Sequence, residues 1–148
     1  MGDDHVPNYF AVFNEIGIIA QLARAAFEDV LPDGMVLPHF SVLNHLIRVA
    51  DGQTPLTLAR AFQVPKTSMT HTLSGLESRG YVDMRPNPDD ARSKCVWITD
   101  SGRTFRNAAI AEIMSAFEPL ESQFSKVQAD KILPDLVALR KILDAARD

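Results

Sequence analysis

The chain has 148 residues, 46% of them hydrophobic, with one cysteine and a formal net charge of −4. That length suits one domain, or one domain with a dimerisation extension, and the apolar share is enough for a proper core. A single cysteine excludes an intramolecular disulfide framework, and the acidic start Met1-Gly2-Asp3-Asp4-His5 lacks the pattern of a signal peptide. No long uninterrupted apolar run points to a membrane span, so the expectation is a cytoplasmic protein without membrane contact.

Residues 8–31 read as one helix after Pro7. Phe10, Phe13, Ala20, Ala23 and Phe27 make one apolar stripe, and Val12, Ile16, Ile19, Ala26 and Val30 make another. A helix that is apolar on two sides needs two partners. In a chain this short one of them is expected to be a second subunit; the alternative is the central helix of a monomer. Leu31-Pro32-Asp33-Gly34 is a break. Pro38 to Ala50 is the next helix, with Phe40, Leu43, Leu46 and Ile47 inward, and Asp51-Gly52-Gln53 closes it.

Residues 54–99 carry the strongest local signals. Thr54 can accept bonds from the first free N–H groups of a helix over Leu56–Phe62, and Pro55 suits its first position. Gln63-Val64-Pro65 is a turn, and a second helix runs over Lys66–Ser78 with Met69, Leu73 and Leu76 as its buried stripe. Lys66, Thr67, Ser68, Thr70, His71 and Ser74 are left outside, and Gly80 ends the helix in a left-handed cap. A face of short hydroxyls, one Lys and one His can lie against phosphates and base edges. Tyr81–Arg85 alternates like a strand, Pro86-Asn87-Pro88-Asp89-Asp90 is a turn, and Arg92–Ile98 is the return strand with Val96 and Ile98 inward. Two short helices followed by a hairpin make a winged helix-turn-helix.

The run Leu76-Glu77-Ser78-Arg79-Gly80-Tyr81-Val82, then Arg85 and Pro86, Asp89-Asp90-Ala91-Arg92, and Val96-Trp97-Ile98-Thr99 with Gly102 resembles MarR-type transcriptional regulators, with the Asp-x-Arg wing signature at Asp90 and Arg92. The resemblance is most specific over residues 56–103. It implies a homodimeric DNA-binding regulator, often released from its operator by a small ligand or an oxidant. Two departures bear on base readout: His71 stands where the family often has arginine, and Gly75 where it has, less consistently, a larger polar residue.

After Thr99, either Asp100 or Ser101 can cap a long helix whose Ile110, Ile113, Phe117, Leu120 and Phe124 form a coiled-coil-like seam, kinked by Pro119. A last helix covers roughly 128–146, with Ile132, Leu136, Leu139 and Leu143 on one stripe and Pro134 either in its first turn or bending it. The expected fold class is mainly α with a small β-hairpin. Residues 1–34 would be an N-terminal dimerisation helix, 35–99 the winged helix-turn-helix module and 100–148 the C-terminal dimerisation helices. The hub would use Phe13, Ile16, Ile19, Leu136, Leu139 and Leu143 across a two-fold axis.

Charge is uneven. Residues 60–106 hold eight Lys or Arg against five Asp or Glu, a local +3 that leaves −7 for the remainder. The positive stretch is the one that reads as the DNA module. The expected DNA-binding residues are Lys66, Thr67, Ser68, Thr70, His71, Arg79, Arg85, Asp90, Arg92 and Lys94, and the expected partner is double-stranded DNA with a roughly palindromic operator. A small aromatic or phenolic effector would sit in the crevice between hub and DNA module, with Phe13, His39, Phe40, Arg48 and Trp97 as candidate liners.

Little else carries chemistry. No His, Cys, Asp or Glu set has metal-ligand spacing, and the pairs Asp3-Asp4 and Asp89-Asp90 read as solvated residues rather than general acids. No cofactor and no enzymatic activity are expected. Two alternatives remain: a winged helix used for protein–protein contact, which the acidic balance favours slightly, and a thiol-based redox sensor through Cys95.

Overall fold

The structure is a computed structural model and describes residues 7–147, so the acidic start and His5 lie outside the described residues. The elements in order are α1 (Asn8–Val30), α2 (Leu37–Arg48), α3 (Pro55–Phe62), α4 (Lys66–Ser78), β1 (Val82–Asn87), β2 (Asp90–Ile98), α5 (Asp100–Phe117), a short 3-10 turn (Glu118–Ser122) and α6 (Lys126–Ala146). The class is mainly helical with a two-stranded antiparallel hairpin.

The core lies where α2, α3, α4 and the hairpin meet, and Leu43, Leu46, Leu58, Leu76, Val82 and Val96 are almost fully buried there. Leu31, from the segment that reads as a mere break, and Met35, just after it, join it. Local signals place the ends of the two helices that matter most. The Thr54 hydroxyl accepts the Thr57 N–H at 3.2 Å and starts α3 behind Pro55. Gly80, at φ +76°, supplies the left-handed residue after α4. The hairpin pairs Val82 with Ile98, Met84 with Val96 and Pro86 with Lys94, with an irregularity before Asn87 pairs with Asp90. The turn is therefore tighter than the proline-rich stretch suggests: both strands extend into it, and only Pro88 and Asp89 stay outside. Gln53 adds a single bridge to Val96, which ties the end of the α2–α3 loop to the wing.

Three boundaries differ from the sequence reading. Thr99, not Asp100 or Ser101, caps α5: its hydroxyl accepts the Gly102 N–H at 3.0 Å and donates to the Gly80 carbonyl at 2.7 Å. Pro119 does more than kink a continuous helix. It lies in the 3-10 turn after α5, so the seam from Ile110 to Phe124 is not carried on one helix. Ser125 then starts α6, earlier than expected, with its hydroxyl accepting the Gln128 N–H at 3.2 Å, and Pro134 falls inside that helix rather than in its first turn.

The described residues divide into two compact units after Ile113. In the first, α1 has no buried residue; Tyr9, Phe10 and Leu22 are 85%, 61% and 68% exposed. By length and composition α1 is also long and apolar enough to cross a membrane, which corrects the reading that no segment has that character. In the second unit α6 likewise has no buried residue, and Ile132, Leu136 and Leu143 are exposed.

Candidate nucleic-acid interface

The outer face of α4 follows from its period. Met69, Leu73 and Leu76 are buried, so Lys66, Thr67, Ser68, Thr70, His71 and Ser74 are exposed, as expected. These side chains are short and polar, and five of the six carry neither a long aliphatic stem nor a negative charge. The helix can thus approach a groove closely and offer donors and acceptors.

The wing is held by its own turn. The Asn87 carboxamide oxygen accepts the Asp89 N–H at 3.0 Å and its amide donates to the Ser93 hydroxyl at 3.0 Å. One oxygen of Asp90 accepts the Arg92 N–H at 3.0 Å and pairs with the Arg92 guanidinium at 3.3 Å. Asp90 thus sets both the backbone and the side chain of Arg92, whose side chain is 93% exposed. Lys94 borders a small cavity with Thr70, Ser74 and Glu77 of α4.

Two expected contacts are otherwise engaged. The Arg79 guanidinium donates to the Asp33 carbonyl and ties the end of α4 to the α1–α2 loop. Arg85 stacks over the Trp97 ring, 5.5 Å from its centroid, and pairs with Asp83 at 3.4 Å.

Asp51 has a part that sequence inspection missed. Its carboxylate accepts the Gly52 N–H and the Ile98 N–H, both at 3.0 Å, and faces Arg103 at 3.8 Å, joining the end of α2 to the base of the wing and to α5. Arg106 does the same work with Asn44, donating at 2.8 and 3.2 Å to one oxygen. Neither pair has a spacing signal, because the partners are tens of residues apart.

The five residues expected to line a ligand crevice sit in different local settings. His39 is buried, Phe40 packs partly against the core, Arg48 and Phe13 are exposed, and Trp97 lies over Gly52, where an added Cβ would sit 2.5 Å from its ring. An apolar cavity of about 200 Å³ lies elsewhere, between Leu37, Pro38, Val42, Phe62, Val64 and Met69, with Ser41, Ser68, Thr72 and the cation Arg24 at its edge. Glu28 holds Arg24 at 2.9 Å and also accepts the Leu37 N–H at 2.9 Å; that backbone bond, above all, draws the Glu28 pKa below the ordinary carboxylate value. Cys95 is buried at 8% exposure, which removes the access that a thiol sensor needs.

Two helices, a tight turn and a hairpin wing around one core define a winged helix-turn-helix protein. The sequence model of the MarR family matches residues 33–93. The transcriptional regulator HosA of Escherichia coli O111:H- is 29% identical over 100 residues, spanning 66% of this chain and 71% of HosA. The multiple antibiotic resistance protein MarR of Escherichia coli K12 is 29% identical over 143 residues, spanning 89% of this chain and 95% of that protein. A crystal structure of MarR superposes with a TM-score of 0.81 at 19% identity, covering 99% of this chain and 97% of that one, a likeness of fold. In the sequence of its winged helix-turn-helix segment and in its fold, the chain is similar to the MarR-type transcriptional regulators.

Proposed function

We propose that this regulator binds double-stranded DNA as a homodimer and reads a roughly palindromic operator. Residues 35–99 are the DNA module, and residues 1–34 and 100–148 supply the dimer hub. The observation that carries the reading is the pairing of a bare polar α4 face with an Arg92 side chain held outward by Asp90. α4 lies in the major groove, and Arg92 reaches the flanking minor groove or its phosphates, where narrow A·T tracts concentrate negative potential. Two-fold symmetry sets the half-sites about one turn, roughly 10 bp, apart.

The exposed apolar faces of α1 and α6 support the homodimer, since open patches of this kind mark interaction surfaces. That use also accounts for the membrane-like composition of α1 without a membrane, in keeping with a cytoplasmic protein working beside its DNA. The protein is a repressor that a small aromatic or phenolic effector releases. The apolar cavity with one cation at its edge has the size and chemistry for a single ring bearing an anionic or hydroxyl group. Release works by population shift: the effector favours a form whose groove helices are wrongly spaced.

Selection of bound duplexes from a random pool gives the operator. Thr70→Ala and His71→Ala are then titrated against operator and random duplex. Each should cost specific binding about 1–3 kcal/mol per lost base contact and leave random DNA nearly unchanged. Equal losses on both duplexes would mean that α4 does not read bases. A winged helix used for protein contact would show no steep salt dependence with either duplex.

A further inference from the structure

A second cavity, of about 330 Å³, opens beside the later turns of α4, and its polar lining is His39, His71, Ser74, Ser78 and Arg79. No carboxylate is among its lining residues. His39 is the unusual member, being 9% exposed and the buried polar residue of the described core. Its Nδ1 accepts the Val36 N–H at 3.0 Å, so in the neutral ring the proton sits on Nε2. Nε2 turns toward α4: a Cβ built on Gly75 would lie 2.8 Å from it and 3.4 Å from the ring's Cδ2. No acceptor among the described residues bonds this N–H, and no fully buried side-chain polar atom among them is left unpaired, so Nε2–H looks into the cavity.

The rest of the lining has the same sign. The Arg79 guanidinium spends one N–H on the Asp33 carbonyl and keeps others free to donate. The Ser78 hydroxyl is used on the Gly75 carbonyl at 2.9 Å, which leaves the Ser74 hydroxyl available. Burial first, against the raising effect of the Val36 bond and with help from the Arg79 charge, holds the His39 pKa below its ordinary value, so the ring is a neutral donor beside the Arg79 cation. Donors and positive charge converge on space that Gly75 keeps open.

We propose that this cavity is an oxyanion site. It takes one phosphate or carboxylate group, which accepts from His39 Nε2–H, the Ser74 hydroxyl and the Arg79 guanidinium. Charge-assisted bonds of this kind are the strong ones, and the cavity-facing His39 N–H has no protein acceptor among the described residues to compete with the anion. The group comes either from a free anion or from a backbone phosphate of DNA lying along α4. The site does not rest on the DNA-binding reading, because its first test uses the protein alone.

That test follows the His39 side-chain nitrogens by NMR while inorganic phosphate is titrated at fixed ionic strength against a chloride control. The expected result is a saturable shift at His39 Nε2 with phosphate and none with chloride. Gly75→Ala, which crowds Nε2 while suiting a helix, should weaken phosphate at least tenfold, and His39→Gln should weaken it similarly; circular dichroism reports that each is folded. If His39→Gln does not fold, Gly75→Ala carries the test. A short random duplex is the second arm. A duplex that reproduces the shift and is displaced by phosphate identifies a DNA phosphate; an unmoved His39 identifies a free anion. Equal responses to phosphate and chloride, or a folded Gly75→Ala that binds phosphate as the parent does, would overturn the proposal.

Discussion

Replacing Arg92 by Ala separates an electrostatic wing from a structural one. The side chain is 93% exposed and its ion pair with Asp90 spans 3.3 Å in water, so its loss costs the fold less than about 1 kcal/mol. The thermal midpoint should therefore move by no more than a few degrees. In the proposed docking the same residue neutralises one phosphate per subunit, and each such contact contributes about −0.9 to the slope of log affinity against log salt. Two subunits make the slope shallower by about 1.8. Across a fourfold rise in salt, from about 50 to 200 mM, the variant should lose about tenfold less affinity than the parent loses. The deficit should be largest at low salt and nearly equal for operator and random duplex, apart from a preference for narrow A·T tracts. Fluorescence anisotropy with both duplexes over a salt series measures it. If the variant binds both as the parent does, the wing does not touch DNA. If it loses operator binding alone, Arg92 reads a base and the argument from exposure and charge fails.

Three further outcomes follow from the packing. Ile19→Asp combined with Leu143→Asp should dissociate the dimer, because both residues are open in the single chain (60% and 50% exposed) and a buried unpaired charge is costly only where a partner covers it; a parent that sediments as a folded monomer at micromolar concentration would refute the hub. Gly102→Ala should destabilise by about 1–3 kcal/mol, since its Cβ would lie 2.2 Å from the Tyr81 carbonyl oxygen and 2.9 Å from Ile98; the gain of about 1 kcal/mol in helix propensity is too small to offset this, and an unchanged urea midpoint would contradict the clash. The depressed His39 pKa makes stability pH-dependent in one direction: the unfolded chain takes up the proton first, so stability is flat above the ordinary His value near 6.5 and falls as pH drops from there toward the folded value. Denaturation midpoints between pH 8 and 5 should show this fall, and His39→Gln should flatten it; an identical pH profile in that variant would assign the effect elsewhere.

By itself the sequence determined the order of the elements and those ends that a short local signal marks. Thr54-Pro55, the Met69–Leu73–Leu76 stripe and Gly80 each act over a few residues, so their effects are legible from spacing, and the structure places them as that spacing implies; the Asp90–Arg92 pair was marked by the resemblance instead. The hairpin order after two short helices was enough for the fold class. Caps were less legible where several candidates stood in line: Thr99 starts α5 because its hydroxyl also reaches the Gly80 carbonyl, a contact 19 residues away that no local rule contains. Still longer separations, 47 and 62 residues, hide the bonds of Asp51 to the wing and of Asn44 to Arg106. Arg79 and Arg85 look alike as surface cations in the sequence, yet one is drawn to the Asp33 carbonyl and the other to the face of Trp97. Gly75 reads only as a departure at a groove-facing helix. Its meaning, an opening over the N–H of a buried His39, exists only once α2 is packed on α4, because empty space is a property of the walls around it and not of the residue that leaves it.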